Sequence, residues 1–161
     1  MKNVLSIIGG IFLVLILIGV GVIAYAAFHG RALDASSKAY VEANLPAILD
    51  TWSTDELLQR SSPQLLKAVN EKPEQLDQLF RKLSNLGALR SLGNAQGDSH
   101  ISFTTEHGRV TTATYVVNAT FENGEGRINT RLIQVDGQWQ FLMFYVDSPI
   151  FLQMNDGAKT T

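Results

Sequence analysis

The chain lacks cysteine altogether. Disulfide bonds, thiol nucleophiles and thiolate metal sites are therefore excluded together. Histidine is scarce, and the spacing of His29, His100 and His107 fits no pair of metal ligands on a helix or a strand. The sequence thus predicts no metal site and no cofactor, and it contains no residue pattern that identifies a catalytic centre.

A surplus of charge of one sign is also missing. The 13 basic and 15 acidic residues give a formal net charge of −2, and aromatic residues are not interleaved with the basic ones. A nucleic-acid-binding surface needs a basic patch or stripe, which this composition does not supply. We therefore expect no nucleic-acid partner, and the length of 161 residues fits a single folded domain.

A long apolar run without charge is present, from Val4 to Phe28. As a helix it would more than span a hydrocarbon layer of about 30 Å. A cleaved signal peptide is the alternative, because Ala24 and Ala26 supply small residues at the positions that a signal peptidase reads. The apolar region of a signal peptide usually has about 7–15 residues. The length of this run therefore favours an uncleaved transmembrane anchor.

The anchor divides the chain into five predicted parts. These are a short head (1–3), the transmembrane helix (4–28), a polar linker (29–37), a folded α+β domain (38–150) and a C-terminal tail (151–161). Lysine and arginine are nearly balanced on the two sides of the span, so the positive-inside rule gives little bias. Because so short a head is easily left in the cytoplasm, we expect a single pass through the inner membrane with the folded domain outside the cytoplasm.

Helical periodicity dominates the first half of the folded domain. Apolar residues at spacings of three and four predict a helix from about Ser37 to Trp52, with a kink at Pro46. Gly87 is expected to end the last helix in a left-handed conformation. Three further helices are predicted by start signals at Ser53 (with Glu56 in a capping box), Ser62 and Pro73.

An apolar period of two in the second half predicts strands. Asn123-Gly124 and Asp136-Gly137 predict two-residue hairpin turns, and Gly108 predicts a three-residue loop that turns Ile101 and Phe103 to the core. The two-residue turns agree on one core-facing set in a three-stranded meander. The set is Tyr115, Val117, Ala119, Phe121, Ile128, Leu132, Phe141, Met143 and Tyr145.

The other face of the predicted sheet carries a small apolar strip with arginine beside it. Apolar groups next to arginine are typical of protein interfaces. The strip is predicted to contact either the chain's own tail from Pro149 to Met154 or a second chain, which would be another copy or an envelope protein. Its residues are Val116, Leu142, Phe144 and Val146, with Arg127 and Arg131 alongside.

Helices followed by an antiparallel meander whose last strand begins with Asp-Gly-x-Trp resemble the NTF2-like (cystatin-like) superfamily. The residues from Phe121 to Ser148 carry this resemblance. It implies helices packed on a curved antiparallel sheet, and the chain is similar to small membrane-anchored domains of the bacterial envelope. Members of the superfamily include isomerases that use a cavity between helix and sheet, and many others that bind, scaffold or assemble.

An isomerase of this fold would need a carboxylate base and an acidic hydrogen-bond donor in the cavity. Tyr40, Tyr115, Tyr145 and Asp147 are the candidates here. The competing interpretation is that the tyrosines fill the core and Asp147 caps a strand end. We favour it, because no second carboxylate lies nearby in the sequence. The chain is therefore expected to be a non-catalytic binding or assembly domain, with binding of an unspecified small molecule or isomerase-like activity as the alternative.

The uncleaved anchor predicts the mass of the protein in the membrane. Protein extracted from membranes should have the intact mass of the full chain, because the apolar run is too long for a cleaved signal peptide. Intact mass spectrometry checks this. A mature chain that begins near Ala27 would contradict the anchor.

Overall fold

The structure, a computed structural model, describes Ile18 and residues 30–104 and 108–149. Helices come first and an open five-stranded antiparallel sheet follows, so the predicted α+β class is confirmed. Apart from Ile18, the predicted span from Val4 to Phe28 lies outside the described residues, as does the tail from Ile150 onward.

Within the described part of the chain, no helix combines the length and the apolar character that crossing a membrane requires.

The elements follow one another in simple order. The helices are α1 (residues 30–51), α2 (Thr54–Leu58), α3 (Pro63–Glu71) and α4 (Pro73–Leu83), and a 3-10 turn (Ser84–Leu86) ends this half. The strands are β1 (Leu89–Leu92), β2 (Gln96–Thr104), β3 (Gly108–Phe121), β4 (Gly124–Val135) and β5 (Gln138–Asp147).

Helix α1 is the central element of the core. Its predicted apolar face is confirmed, because Val41, Leu45, Ile48, Leu49 and Trp52 are all buried. Residues 30–37, which the sequence reasoning assigned to the linker, are helical and belong to α1. The inward face of α1 continues toward its beginning at four-residue spacing: Ser37 is buried, and Leu33 packs against the core. The polar composition of this segment concealed that continuation.

The predicted helix starts are present, but their caps differ. Ser62 accepts a hydrogen bond from the Leu65 amide at 3.3 Å and caps α3 as expected. Ser53 makes no side-chain cap, and the capping box is wrong, because the Glu56 carboxylate instead binds Arg60 Nη1 at 2.6 Å. Gly87 has the predicted positive φ, at 78°.

Strands β1 and β2 both pair with β3 along the same edge and form one interrupted edge strand. The pairing contains one surplus residue between Leu89 and Ser91, and another between Leu92 and Gln96. Surplus residues of this kind bend a strand and increase its twist. On the other side of β3 the order continues through β4 to β5.

Two of the predicted turns are confirmed in their backbone conformation. Asp136 and Gly137 have φ of 49° and 79° in the last hairpin. Gly108 has φ of 65°, and three residues separate it from Thr104. Ile101 and Phe103 lie on the core-facing side of the sheet as predicted, the side that carries the buried Thr111, but both side chains are exposed.

The turn predicted at Asn123-Gly124 is wrong by one position. Phe121 pairs with Gly124, so Glu122 and Asn123 form the turn. The amides of these two residues donate to the carbonyls of Ala88 and Leu86, at 3.0 and 2.9 Å. The segment after α4 therefore sets the position of the turn. The pairing of β3 with β4 is shifted by two residues from the predicted register, and an even shift keeps the predicted faces of both strands.

Strand β5 contains a bulge that exchanges its faces. Leu132 pairs with Phe141 as predicted, but Arg131 pairs with Met143, which leaves Leu142 as the surplus residue. Beyond it the faces are reversed, so the predicted core positions of Met143 and Tyr145 are wrong. Their side chains are 40% and 55% exposed. The predicted outer positions at 144 and 146 are wrong too, since Phe144 packs against the core and Val146 is buried.

The bulge coincides with a second set of backbone contacts to Phe141. The Phe141 amide donates to the Arg60 carbonyl, and the Phe141 carbonyl accepts from the Ser62 amide, each at 2.8 Å. These bonds occupy the outer edge of β5 at this point. The run from Phe141 to Val146 places apolar groups on both faces in either register, so the exchange of faces buries no polar side chain from this run.

The burial of Phe141 gives a test of these faces in a fragment that begins at residue 30. Phe141→Ala should lower the free energy of unfolding by about 3–5 kcal/mol, because the fully buried ring contacts the Tyr40 ring at a centroid distance of 5.6 Å. Urea denaturation measures it. Met143→Ala is the matched control on the same strand and should cost less than about 1 kcal/mol. Equal losses would contradict the bulge.

Candidate functional site

The structure separates the four residues predicted for a cavity. Tyr115 is buried between β3 and α1, whereas Tyr40 borders a cleft near the start of β5. Tyr145 and Asp147 are exposed on the outer face of the sheet. The space between α1 and the sheet is filled by fully buried side chains, among them Leu45 and Ile48. The arrangement therefore does not bring the four predicted residues together in a cavity between helix and sheet.

The hydroxyl of Tyr115 joins β3 to the beginning of α1. It lies 2.9 Å from Ser37 Oγ and donates to the Asp34 carbonyl at 3.1 Å. Burial raises the pKa of Tyr115, and the hydrogen bond to Ser37 opposes that shift. The hydroxyl is thus neutral at physiological pH and already has its partners, as the structural interpretation of the sequence expects.

Two further residues of the same helical turns bind other strands. The Asp34 carboxylate accepts from the Ser99 amide at 2.7 Å and also from the Ser99 hydroxyl. The Trp139 indole donates to Ser36 Oγ at 3.0 Å. We call these contacts, with that of Ser37 to Tyr115, the polar clamp. It ties the beginning of α1 to β2, β3 and β5, a role that the sequence reasoning assigned to none of the α1 residues.

The cleft beside Tyr40 is small, with a volume of about 360 Å³. Burial raises the pKa of Tyr40, while the charge of Arg60 acts in the opposite direction. Arg60 donates to Asn44 Oδ1 at 2.8 Å and to the Glu56 carboxylate at 2.6 Å, so its charge is already paired. The side-chain amide oxygen of Gln140, Oε1, is buried without a hydrogen-bond partner in the described part of the chain. The cleft therefore offers few free polar groups to a ligand.

A larger open groove, of about 740 Å³, crosses the outer face of the sheet near the end of β5. Asp147 lines it opposite Arg127, its neighbour on β4. At the strand end, the Ser148 hydroxyl donates to the Glu125 carbonyl at 2.6 Å. The groove also exposes Asn118 and Thr120, and its lining carries charges of both signs.

The free edge of β5 adjoins this groove. Among the described residues, hydrogen bonds from the 60–62 segment reach this edge only at Phe141, and no strand pairs with residues 143–147 there. Met143 and Tyr145 are exposed along it, next to their β4 neighbours Arg131 and Asn129. We call residues 143–147 the β5 edge.

The outer face keeps part of its predicted membership. Arg127 and Arg131 are exposed there, Val116 is half-buried, and Leu142 is half-buried within the bulge. Met143 and Tyr145 were missed by the sequence reasoning. No local signal could have found them, because they reach the outer face only through the bulge.

Comparison with protein families, with curated proteins and with solved structures finds no match for the chain. The resemblance to the NTF2-like superfamily therefore stays a prediction from the sequence.

The role of Tyr115 in the polar clamp predicts a loss of stability. Tyr115→Phe should lower the free energy of unfolding by about 1 kcal/mol, because its hydrogen bonds to the Ser37 hydroxyl and the Asp34 carbonyl are lost. Tyr145→Phe is the matched control, since that hydroxyl is on an exposed side chain, and should change stability by no more than about 0.5 kcal/mol. Denaturant unfolding compares the two, and equal effects would show that the Tyr115 hydroxyl does not hold α1.

Proposed function

We propose that the chain is a membrane-anchored, non-catalytic domain that acts by protein–protein contact at the β5 edge. The segment from Val4 to Phe28 is its anchor in the inner membrane of a bacterial cell, and the folded domain lies outside the cytoplasm. The anchor is supported by the length and uncharged character of that segment. Under this proposal the fold is NTF2-like, which is supported by the order of helices before a bulged antiparallel meander.

The observation that carries the contact is the open edge of β5. Residues 143–147 have no strand partner on that side in the described part of the chain, and Met143 and Tyr145 are exposed there. An uncovered strand edge is a template for another strand, and natural proteins usually protect it. Strand addition supplies main-chain hydrogen bonds, and side chains on alternate positions supply specificity.

A second copy of the chain fits this edge by symmetry. In an antiparallel pairing centred on Tyr145, the two tyrosines face each other and Met143 of each copy lies opposite Asp147 of the other. Arg131, beside Met143 on β4, then approaches the partner's acidic strand end. The same surface is used on both copies, as a two-fold dimer requires. Anchoring in one membrane raises the effective concentration of the copies, so a modest contact suffices.

Tyr145→Lys tests this proposal in the full-length protein. It places two like charges opposite each other at the centre of the pairing and should convert the dimer to a monomer while the fold survives. Gln138→Lys is the matched control, because it adds the same charge at an exposed position on the other end of β5. Chemical crosslinking in membranes and native mass spectrometry in detergent measure the oligomeric state, with circular dichroism as the check on folding.

Three outcomes would contradict the proposed dimer. A wild-type protein that is monomeric in the membrane would show that the proposed dimer does not form. Equal dissociation by Tyr145→Lys and Gln138→Lys would place the contact elsewhere. Crosslinks from the β5 edge to another envelope protein or to the chain's own tail from 150 onward would identify a different occupant.

A further inference from the structure

The hairpin between β2 and β3 ends in an exposed apolar tip. Phe103 is 79% exposed and Ile101 is 40% exposed, and both lie on one face of β2. Arg109 is exposed on β3 directly opposite Phe103. We call Ile101, Phe103 and Arg109 the hairpin tip; the three loop residues 105–107 lie outside the described chain. Exposed apolar side chains that lie together on one face, unlike ones scattered singly, mark a contact surface.

Two hydrogen bonds fix the position of the tip relative to α1. The Ala95 amide donates to Glu42 at 3.1 Å, and the Ser99 amide donates to Asp34 at 2.7 Å. Ala95 and Ser99 are four residues apart in sequence, and the α1 residues that they contact, Glu42 and Asp34, are eight residues apart in the opposite direction. Those distances are about 13 Å on a strand and about 12 Å on a helix. The two elements therefore run nearly antiparallel, and β2 leads toward the beginning of α1.

The tip extends past the beginning of the described helix. Phe103 lies four strand residues beyond Ser99, about 13 Å, whereas Gly30 lies four helical residues before Asp34, about 6 Å. Phe103 therefore reaches about 7 Å farther than Gly30 in the direction that runs along α1 from Asp34 to Gly30. Phe28 is the last residue of the apolar run that we propose as the anchor.

We propose that the hairpin tip is a second membrane contact, in which Phe103 and Ile101 enter the lipid surface beside the anchor. This inference rests on the anchoring part of the proposed function. Apolar side chains such as phenylalanine enter the boundary between lipid and water beside basic groups, and arginine there pairs its head with lipid phosphate while its stem packs on apolar groups. Arg109 on the tip and the exposed Arg31 near the beginning of α1 supply that charge. A domain held at two points takes a fixed orientation on the bilayer.

The test uses a fluorescent label on the full-length protein in vesicles of phosphatidylcholine and phosphatidylglycerol. The chain has no cysteine, so Ser102→Cys provides a unique site beside Phe103 on an exposed position. Ser91→Cys, exposed on β1 far from the tip, is the matched control. An environment-sensitive dye is attached to each, and lipids with a spin label on the acyl chain, present in both leaflets, serve as quenchers.

The expected result is a blue-shifted emission at position 102 that the lipid quenchers reduce, and an unshifted, unquenched emission at position 91. Phe103→Ser in the Ser102→Cys background should remove most of the quenching, because the apolar group that holds the tip in the lipid is lost. The fold should persist, since Phe103 is exposed. Circular dichroism confirms that the labelled variants are folded.

Contrary results separate this inference from the proposed anchor. If alkaline carbonate leaves the protein in the vesicles but the label at 102 behaves like that at 91, the anchor stands and the tip contact is wrong. If carbonate extracts the protein, the anchor is wrong, and the quenching measured before extraction still decides the tip. A blue shift that lipid quenchers leave unchanged would mean that protein covers the tip, and would overturn the inference.

Discussion

The polar clamp at the beginning of α1 is the constraint on which the rest of the structure depends. Asp34, Ser36 and Ser37 bind Ser99, Trp139 and Tyr115, which belong to three different strands. Apolar packing beneath α1 is strong but allows a helix to slide or rotate, whereas hydrogen bonds to buried partners fix one position. The clamp therefore sets both the depth of α1 on the sheet and its rotation about its own axis.

The same contacts connect the core to the surfaces that we propose as functional. Because Asp34 positions β2, it also directs the hairpin tip toward the beginning of α1. The β5 edge lies on the other face, where the bulge and the 60–62 segment decide which side chains are exposed. The buried contacts therefore differ in chemistry from the two exposed surfaces, but they determine where those surfaces lie.

Periodicity predicted the parts of the fold that repeat. The inward residues of α1 and the alternation along β3 were correct because burial of one face leaves a regular mark on the sequence. Met143 and Tyr145 could not be placed, since a run of apolar residues has no alternation and the bulge follows from contacts with residues distant in sequence. The Asn123 turn failed for the same reason. Of the cavity candidates, Tyr115 was foreseeable as a core residue from the alternation along β3, but its partner Ser37 was not, because that serine stands in a polar segment.

The interrupted edge strand shows how the curvature of a sheet can follow from the number of residues in its strands. From Leu89 to Thr104 the edge has 16 residues (89 to 104), and they face only 14 residues of β3 (108 to 121). When one strand has more residues than the strand it pairs with, it must bend along that strand. Such curvature depends on how many residues each strand contains more than on which residues they are. Removing one surplus residue would shorten the edge and reduce its curvature.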